Sequence, residues 1–321
     1  MVCLVFCSLM VKLYYGNLFQ KIFFIVYLCV CIFQQFLSCM LLKKMVHTKC
    51  RGGTYPFSGV KRLIFSDDLV AWSNQFPDYD PPEYNSKSLV NKPWADPPFE
   101  DPNFKPNWNQ LDGKVNRQSH VGVYDIRDGR PLNPEGRTGL KGRGILGKWG
   151  PNHAADPIVT RWRMIGDAKE FNPSSKLPIL QFCAIQRRDC KEWALPGGMV
   201  DPGEQVSETL RREFLEEAMN SLEMSKEQAE KDQQMIREFF SSGDVIYKGY
   251  VDDHRNTDNA WMETVAVNFH DEDGTHVGKF ELTAGDDAQN VKWMDINRDL
   301  KLYASHSNFM KLVVEKLCAH W

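Results

Sequence analysis

Apolar and polar positions along the chain change rhythm from one region to the next. In the C-terminal half they follow regular periods. Leu177–Arg187, with Ile179, Leu180, Phe182, Ala184 and Ile185, reads as a strand, and Trp193–Val200 as a short apolar strand broken by Pro196-Gly197-Gly198. A helix starts near Val206 or Ser207, because Val206, Leu210, Phe214 and Ala218 recur every fourth residue and form one stripe. Ser225–Phe240 carries Met235, Ile236, Phe239 and Phe240 at helical spacing, and Val245–Val251, Met262–Phe269 and Asn290–Ile296 read as further strands. A last helix follows, capped by Ser305 or Ser307, with Phe309, Leu312, Val313, Lys316 (through its stem) and Leu317 facing inward.

Residues 50–160 show no such period. They are rich in Pro, Asn, Asp and Trp, and the segments around Asp80-Pro-Pro and Trp94-Ala-Asp-Pro-Pro read as extended chain packed by aromatics. Only Val121–Ile126, running into Asp128-Gly129, predicts a strand and turn. The implied organisation is an apolar segment over 1–45, a small N-terminal lobe over 46–160, and a catalytic domain over 161–321. Its fold class is mixed α+β or α/β, a mixed sheet sandwiched between helices.

The first 42 residues hold no Asp, Glu or Arg. Phe23–Phe33 is an unbroken apolar run, shorter than the ~20 residues of a membrane helix. Extended over 18–42 it could span a bilayer or contact one. Leu37-Ser-Cys39 equally suits a signal-peptide cleavage site, and Met40 or Met45 could start translation. The segment lacks the Arg-rich amphipathic character of a mitochondrial presequence.

Over 321 residues the net charge is −3, which leaves no basic footprint for nucleic acid. Of nine cysteines, those outside the first 39 residues are scattered without a C-x-x-C pair, against a zinc knuckle or disulfide framework.

The chemistry concentrates at Gly198 to Glu217. Gly197-Gly198 lets a ligand approach the main chain, and Asp201-Pro202-Gly203 turns the chain. On the helix that follows, Glu213, Glu216 and Glu217 share one face at the margin of the apolar stripe. Carboxylates so placed repel one another unless a cation joins them, and an all-oxygen set suits Mg²⁺ or Mn²⁺ better than zinc. Arg212 can orient a carboxylate.

This segment resembles the Nudix box, G-x5-E-x7-R-E-U-x-E-E-x-G-U with U a bulky apolar residue, over residues 198–220. It matches from Gly198 through Glu204, Arg212, Glu213, Phe214, Glu216 and Glu217, and departs at Met219 and Asn220. A wider likeness covers residues 55–321, notably 136–157, 247–253, 255–264 and 302–307. These are similar to the animal, mitochondrial-type ADP-ribose pyrophosphatases and to the related ADP-ribose-sensing domain of melastatin-type cation channels. The resemblance implies a Nudix fold, a mitochondrial location and hydrolysis of ADP-ribose to AMP and ribose 5-phosphate. It places Glu213 and Glu217 as metal ligands, with Glu216 and Glu204 in the same shell. The general base is then Glu216 or an acid near Asp252, Asp253 and Glu263.

The Gly-rich stretch 136–150 would border the substrate cleft. The polar loop from Asp252 through Arg255 to Asn259 is a substrate-facing wall or a solvated turn. His153 and Asp156 touch ribose or phosphate, or only each other, and Trp261 is core or stacks on adenine. Two further readings stay open: a Nudix hydrolase of another nucleoside diphosphate derivative, and a non-catalytic ADP-ribose-binding module.

Overall fold

The computed structural model describes residues 47–188, 190–218, 234–277, 282 and 288–321, with the side chains of residues 217 and 218 excepted. The apolar segment, and the larger part of the helix expected over 225–240, lie outside the described residues; residues 234–239 are helical. Among the described residues no helix is long and apolar enough to cross a membrane.

One mixed sheet organises the C-terminal part. Its strands are β1 (Gly150–Trp162), β2 (Leu180–Arg187), β3 (Trp193–Ala194), β4 (Gly198–Met199), β5 (Asp244–Val251), β6 (Ala260–Asp271) and β7 (Ala288–Asp295). β1 lies parallel to β6 along its whole length, with Ala260 opposite Gly150 and Asp271 opposite Arg161. With one edge of β1 taken by β6, the other is shared. β2 pairs with it at Leu180–Phe182 and β4 at Gly198–Met199, both antiparallel. β7 and β5 complete the sheet, antiparallel to β2 and β6. Strand β1 begins earlier than the expected lobe boundary, so the chain enters the sheet straight from the Gly-rich stretch.

The period-2 pattern sorts side chains onto two faces. Ala155, Val159, Cys183, Val265, Val267 and Phe269 meet Leu210 and Phe214 of helix α1 (Val206–Ala218) and Ile236, Phe239 and Phe240. Ile158, Trp162, Leu180, Phe182, Ala184 and Ala266 meet Phe309, Met310, Val313 and Val314 of helix α2 (His306–Leu317). Each large side chain buried here contributes about 1.5–3 kcal/mol. The layers are helix, sheet, helix, as the pattern of elements implied.

Three local expectations are corrected. Val121 to Asp125 form no strand: Val123 is 88% exposed, and only Ile126–Arg127 pairs, with Arg130–Pro131 in a two-residue hairpin. Only Tyr124 of that segment is buried, against Trp261, so the alternation a strand needs is absent. Neither serine caps α2; Ser305 occupies the cap position without a side-chain bond, and Ser307 Oγ donates to the Leu300 carbonyl. Lys316 points outward to Asp244 at 2.8 Å, and Met310 and Val314 take the inward positions.

The N-terminal lobe is held by guanidinium groups in place of a large apolar core. With few ladders to satisfy its carbonyls, buried arginines donate to them. Arg62 reaches the carbonyls of His254 and Asn256, both at 2.8 Å, and Arg137 those of Leu69 and Ala71 at 2.8 and 2.6 Å. Arg117 forks onto Asp96 at 2.8 and 3.0 Å.

Candidate functional site

A cleft of about 820 Å³ opens between this lobe and the sheet. One wall is Pro151, Asn152 and His153 at the start of β1, and another is Met199–Val206 of the loop leading into α1. The N-terminal lobe adds Trp94, Gln118, His120 and Ile145–Lys148, and Arg255 closes one end. Its size falls within the 300–1,000 Å³ usual for small-molecule sites.

Glycines bring the carboxylates onto the loop. A Cβ on Gly198 would lie 2.3 Å from Glu213 Oε1, and one on Gly197 would lie 2.3 Å from Asp156 Oδ1. Arg212 gathers the acids of α1. It forks onto Glu204 at 2.9 and 3.0 Å and reaches Glu213 at 2.8 Å and Glu216 at 3.2 Å. Glu204 is thereby engaged through both oxygens and also accepts from the Asp201 N–H at 3.1 Å. Burial pushes the Glu213 carboxyl up to about 7, against the pull of Arg212. A buried, partly disfavoured carboxylate beside others, cradled by a residue that lacks Cβ, with oxygen donors throughout, is an arrangement that a hard divalent cation fits. Glu217 lies on the same helix, with its side chain outside the described residues.

The other expected residues part company. His153 and Arg255 line the cleft. Asp156 sits beneath Gly197, where burial raises its carboxyl to about 6 and Thr264 Oγ1 donates to it at 2.6 Å. The 252–259 loop is mostly turned into the protein. Asp252 accepts from the Thr48 and Lys49 N–H groups at 2.8 and 3.0 Å, and Asn259 accepts from the Gly142 N–H at 3.0 Å. Asp258, 1% exposed, accepts from Tyr79 and Thr138. Burial works against ionisation of Asp253, yet Arg255, at 2.8 and 2.7 Å, holds its carboxyl below the usual range.

Trp261 is fully buried, edge-on to Tyr124, and donates its indole N–H to Glu263 Oε1 at 2.7 Å. The half-exposed aromatic ring in the cleft is Trp94, packed over Gly147. Ile145–Lys148 of the Gly-rich stretch line the cleft, whereas sequence reasoning passed over Trp94, Gln118 and His120 as site residues. Their signal was only an aromatic and polar tract without period.

Residues 65–150 match the family model described as NUDT9-like, N-terminal domain, and residues 179–313 match the NUDIX domain. A rat protein named ADP-ribose pyrophosphatase, mitochondrial, is 54% identical over 87% of the chain and 81% of its own length. The chain belongs to the Nudix hydrolases. A Caenorhabditis elegans putative nudix hydrolase 6 is 49% identical over 84% of the chain and 97% of its own length. A Nematostella vectensis protein named a transient receptor potential cation channel subfamily M member-like 2 is 48% identical over 84% of the chain, but over only 18% of its own length. As a Nudix hydrolase the chain belongs to enzymes that use divalent metal ions, in keeping with the carboxylates gathered at Gly198.

Proposed function

We propose that this Nudix hydrolase cleaves the pyrophosphate of ADP-ribose to AMP and ribose 5-phosphate, with Mg²⁺ or Mn²⁺ held by Glu213 and Glu217 and with Glu216 beside them. The observation that carries the substrate is the 54% identity over 87% of the chain to the ADP-ribose pyrophosphatase. That likeness spans the lobe residues lining the cleft as well as the box, and the box alone addresses only a pyrophosphate.

The divalent ion would neutralise the diphosphate charge and polarise its P–O bonds. The chain's own residues do the remainder. Arg212 fixes the three acids it touches. Glu216, in hydrogen-bond contact with Arg212 but partly exposed, is the candidate base that takes a proton from the attacking water. As water adds to phosphorus, the P–O bond to the leaving phosphate breaks, and each product carries one phosphate. His153, Arg255 and Lys148 surround the space where ribose and phosphate would lie, and Trp94 offers its open face to adenine. The buried side chains of Asp252, Asp253, Asn259 and Glu263, with Trp261, shape the wall from behind.

Product identification by ion-exchange chromatography tests the reading. AMP and ribose 5-phosphate in equal amounts support it; ADP with free ribose refutes it. Binding of ADP-ribose without turnover in either metal would favour the sensor role suggested by the channel relative. Trp94→Ala should raise KM for ADP-ribose about tenfold, in line with ~1–3 kcal/mol per stacked base, with kcat little changed. A mitochondrial location, supported by the rat relative, is checked by imaging a C-terminal fluorescent fusion.

A further inference from the structure

In the wall of the cleft three side chains, from β1, β6 and the N-terminal lobe, converge with the atoms that ligate metal. His153 on β1 and Glu263 on β6 are register partners on adjacent parallel strands. His120 comes from the N-terminal lobe, its ring centroid 4.7 Å from that of His153. One ligand atom from each of the three lies within 4.8 Å of the others.

The carboxylate is held in place before any ion arrives. Glu263 is fully buried, and it accepts from Ser119 Oγ at 2.5 Å, from the His120 N–H at 2.6 Å and from the Trp261 indole at 2.7 Å. The imidazoles are not so provided. His120 Nε2 and both ring nitrogens of His153 are buried without a well-formed hydrogen bond. The carbonyls of Asn116 and Gln118 lie near enough to His153 to favour a proton on it. Unsatisfied buried polar atoms cost about 1–3 kcal/mol each. Burial pushes His120 down to about 4 and also lowers His153, and the neutral imidazole that burial favours is the form that ligates metal.

We propose that His120, His153 and Glu263 form a second metal site, for a borderline ion of the Zn²⁺ class. Two imidazoles and one carboxylate favour such an ion over Mg²⁺, which prefers oxygen alone. Three protein ligands leave a coordination position open, and both histidines line the cleft, so that position faces the space a substrate would enter. The carbonyls beside His153 and the donors on Glu263 serve as the outer partners that orient metal ligands. Because His120 belongs to the lobe and the other two to the sheet, the ion ties the walls of the cleft together.

The test reads metal binding directly and does not depend on any hydrolysis. The full chain is titrated with Zn²⁺ against a chromophoric chelator, and separately with Co²⁺ by visible absorption. The same titrations are made on His120→Ala, His153→Asn and Glu216→Gln, each checked by circular dichroism. Wild type and Glu216→Gln should each bind one equivalent more than the two histidine variants, or bind it at least tenfold more tightly. The Co²⁺ spectrum lost in His120→Ala should lack a thiolate charge-transfer band, which separates this site from the cysteines. His120 makes no hydrogen bond through Nε2, so its variant decides the matter should His153→Asn fail to fold. Zn²⁺ binding unchanged in His120→Ala, or abolished by Glu216→Gln alone, would overturn the proposal.

Discussion

Gly198→Ala should separate catalysis from folding. The added methyl would sit 2.3, 2.5 and 2.6 Å from Glu213 Oε1, Cδ and Oε2, where real Cβ contacts essentially never fall below 3.0 Å. Gly198 does not occupy the left-handed region, so alanine suits its backbone and carries no strain there. What must yield is the end of a flexible side chain. The Glu213 carboxylate retreats by roughly 1 Å, a misplacement that costs about 10²-fold in rate, or about 2.7 kcal/mol of transition-state stabilisation. Stability should hardly move, since replacing glycine at a compatible backbone position is neutral or favourable by about 0.4–1 kcal/mol. The assay pairs kcat/KM for ADP-ribose at saturating Mg²⁺ with a thermal melt. Gly197→Ala is the contrast: its methyl meets the buried Asp156 carboxyl at 2.3 Å and the Ala155 carbonyl at 3.0 Å, so strand backbone must give by a few tenths of an ångström as well and the melt should fall. Gly198→Ala with near-native activity and an unchanged melt would refute the placement of Glu213 as a group the reaction needs.

Three further outcomes follow from the same geometry. Arg212→Lys should lower kcat about tenfold or more with under ~1 kcal/mol of stability lost, because one ammonium cannot fork onto Glu204 and also reach Glu213 and Glu216, while a partly exposed ion pair contributes little; steady-state kinetics and urea melts decide. Arg117→Ala leaves buried Asp96 with only the Trp149 N–H at 2.9 Å and the Lys148 ammonium at 3.9 Å, each side chain of the native pair being 4% exposed, and should cost about 3 kcal/mol in urea unfolding. His306, pushed by burial down to about 3, accepts the Leu195 N–H at 3.0 Å as a neutral ring. Between an unfolded value of ~6.5 and that folded value, only the unfolded state binds the proton, so its contribution is complete above ~6.5 and declines as pH falls. His306→Asn keeps an acceptor but does not titrate; the stability gap between wild type and variant should shift in the variant's favour by about 1.4 kcal/mol per pH unit of acidification below ~6.

The catalytic sheet and its helices were legible because each strand and helix has one face to bury. The stripe of Leu210 and Phe214 and the alternation of Val265, Val267 and Phe269 are the sequence image of one cluster. The box was legible because its spacings encode a loop, a helix face and an arginine that must meet. Lys316 misled, since a lysine at a helical spacing can lie against the core or pair outward, and Asp244 decides that from across the fold. The 252–259 loop misled more deeply. Polar side chains dense enough to bind a nucleotide are equally suited to join two parts of a protein, and Asp252, Thr257, Asp258 and Asn259 bind backbone of the N-terminal lobe. Nothing local distinguishes the two uses. The cleft residues Trp94, Gln118 and His120 come from chain without period, so only the folded lobe brings them to the box.

The central claim is that the cleft selects ADP-ribose and the acids of α1 turn it over. The measurement that tests it most directly is kcat/KM of the full chain for ADP-ribose beside NADH, ADP-glucose and diadenosine polyphosphates, with Mg²⁺ and with Mn²⁺. A value for ADP-ribose at least ~100-fold above the rest, about 2.7 kcal/mol of discrimination, is the result predicted. Equal or greater turnover of another member of the panel would contradict the assignment of substrate, and no turnover of any member would contradict the assignment of catalysis.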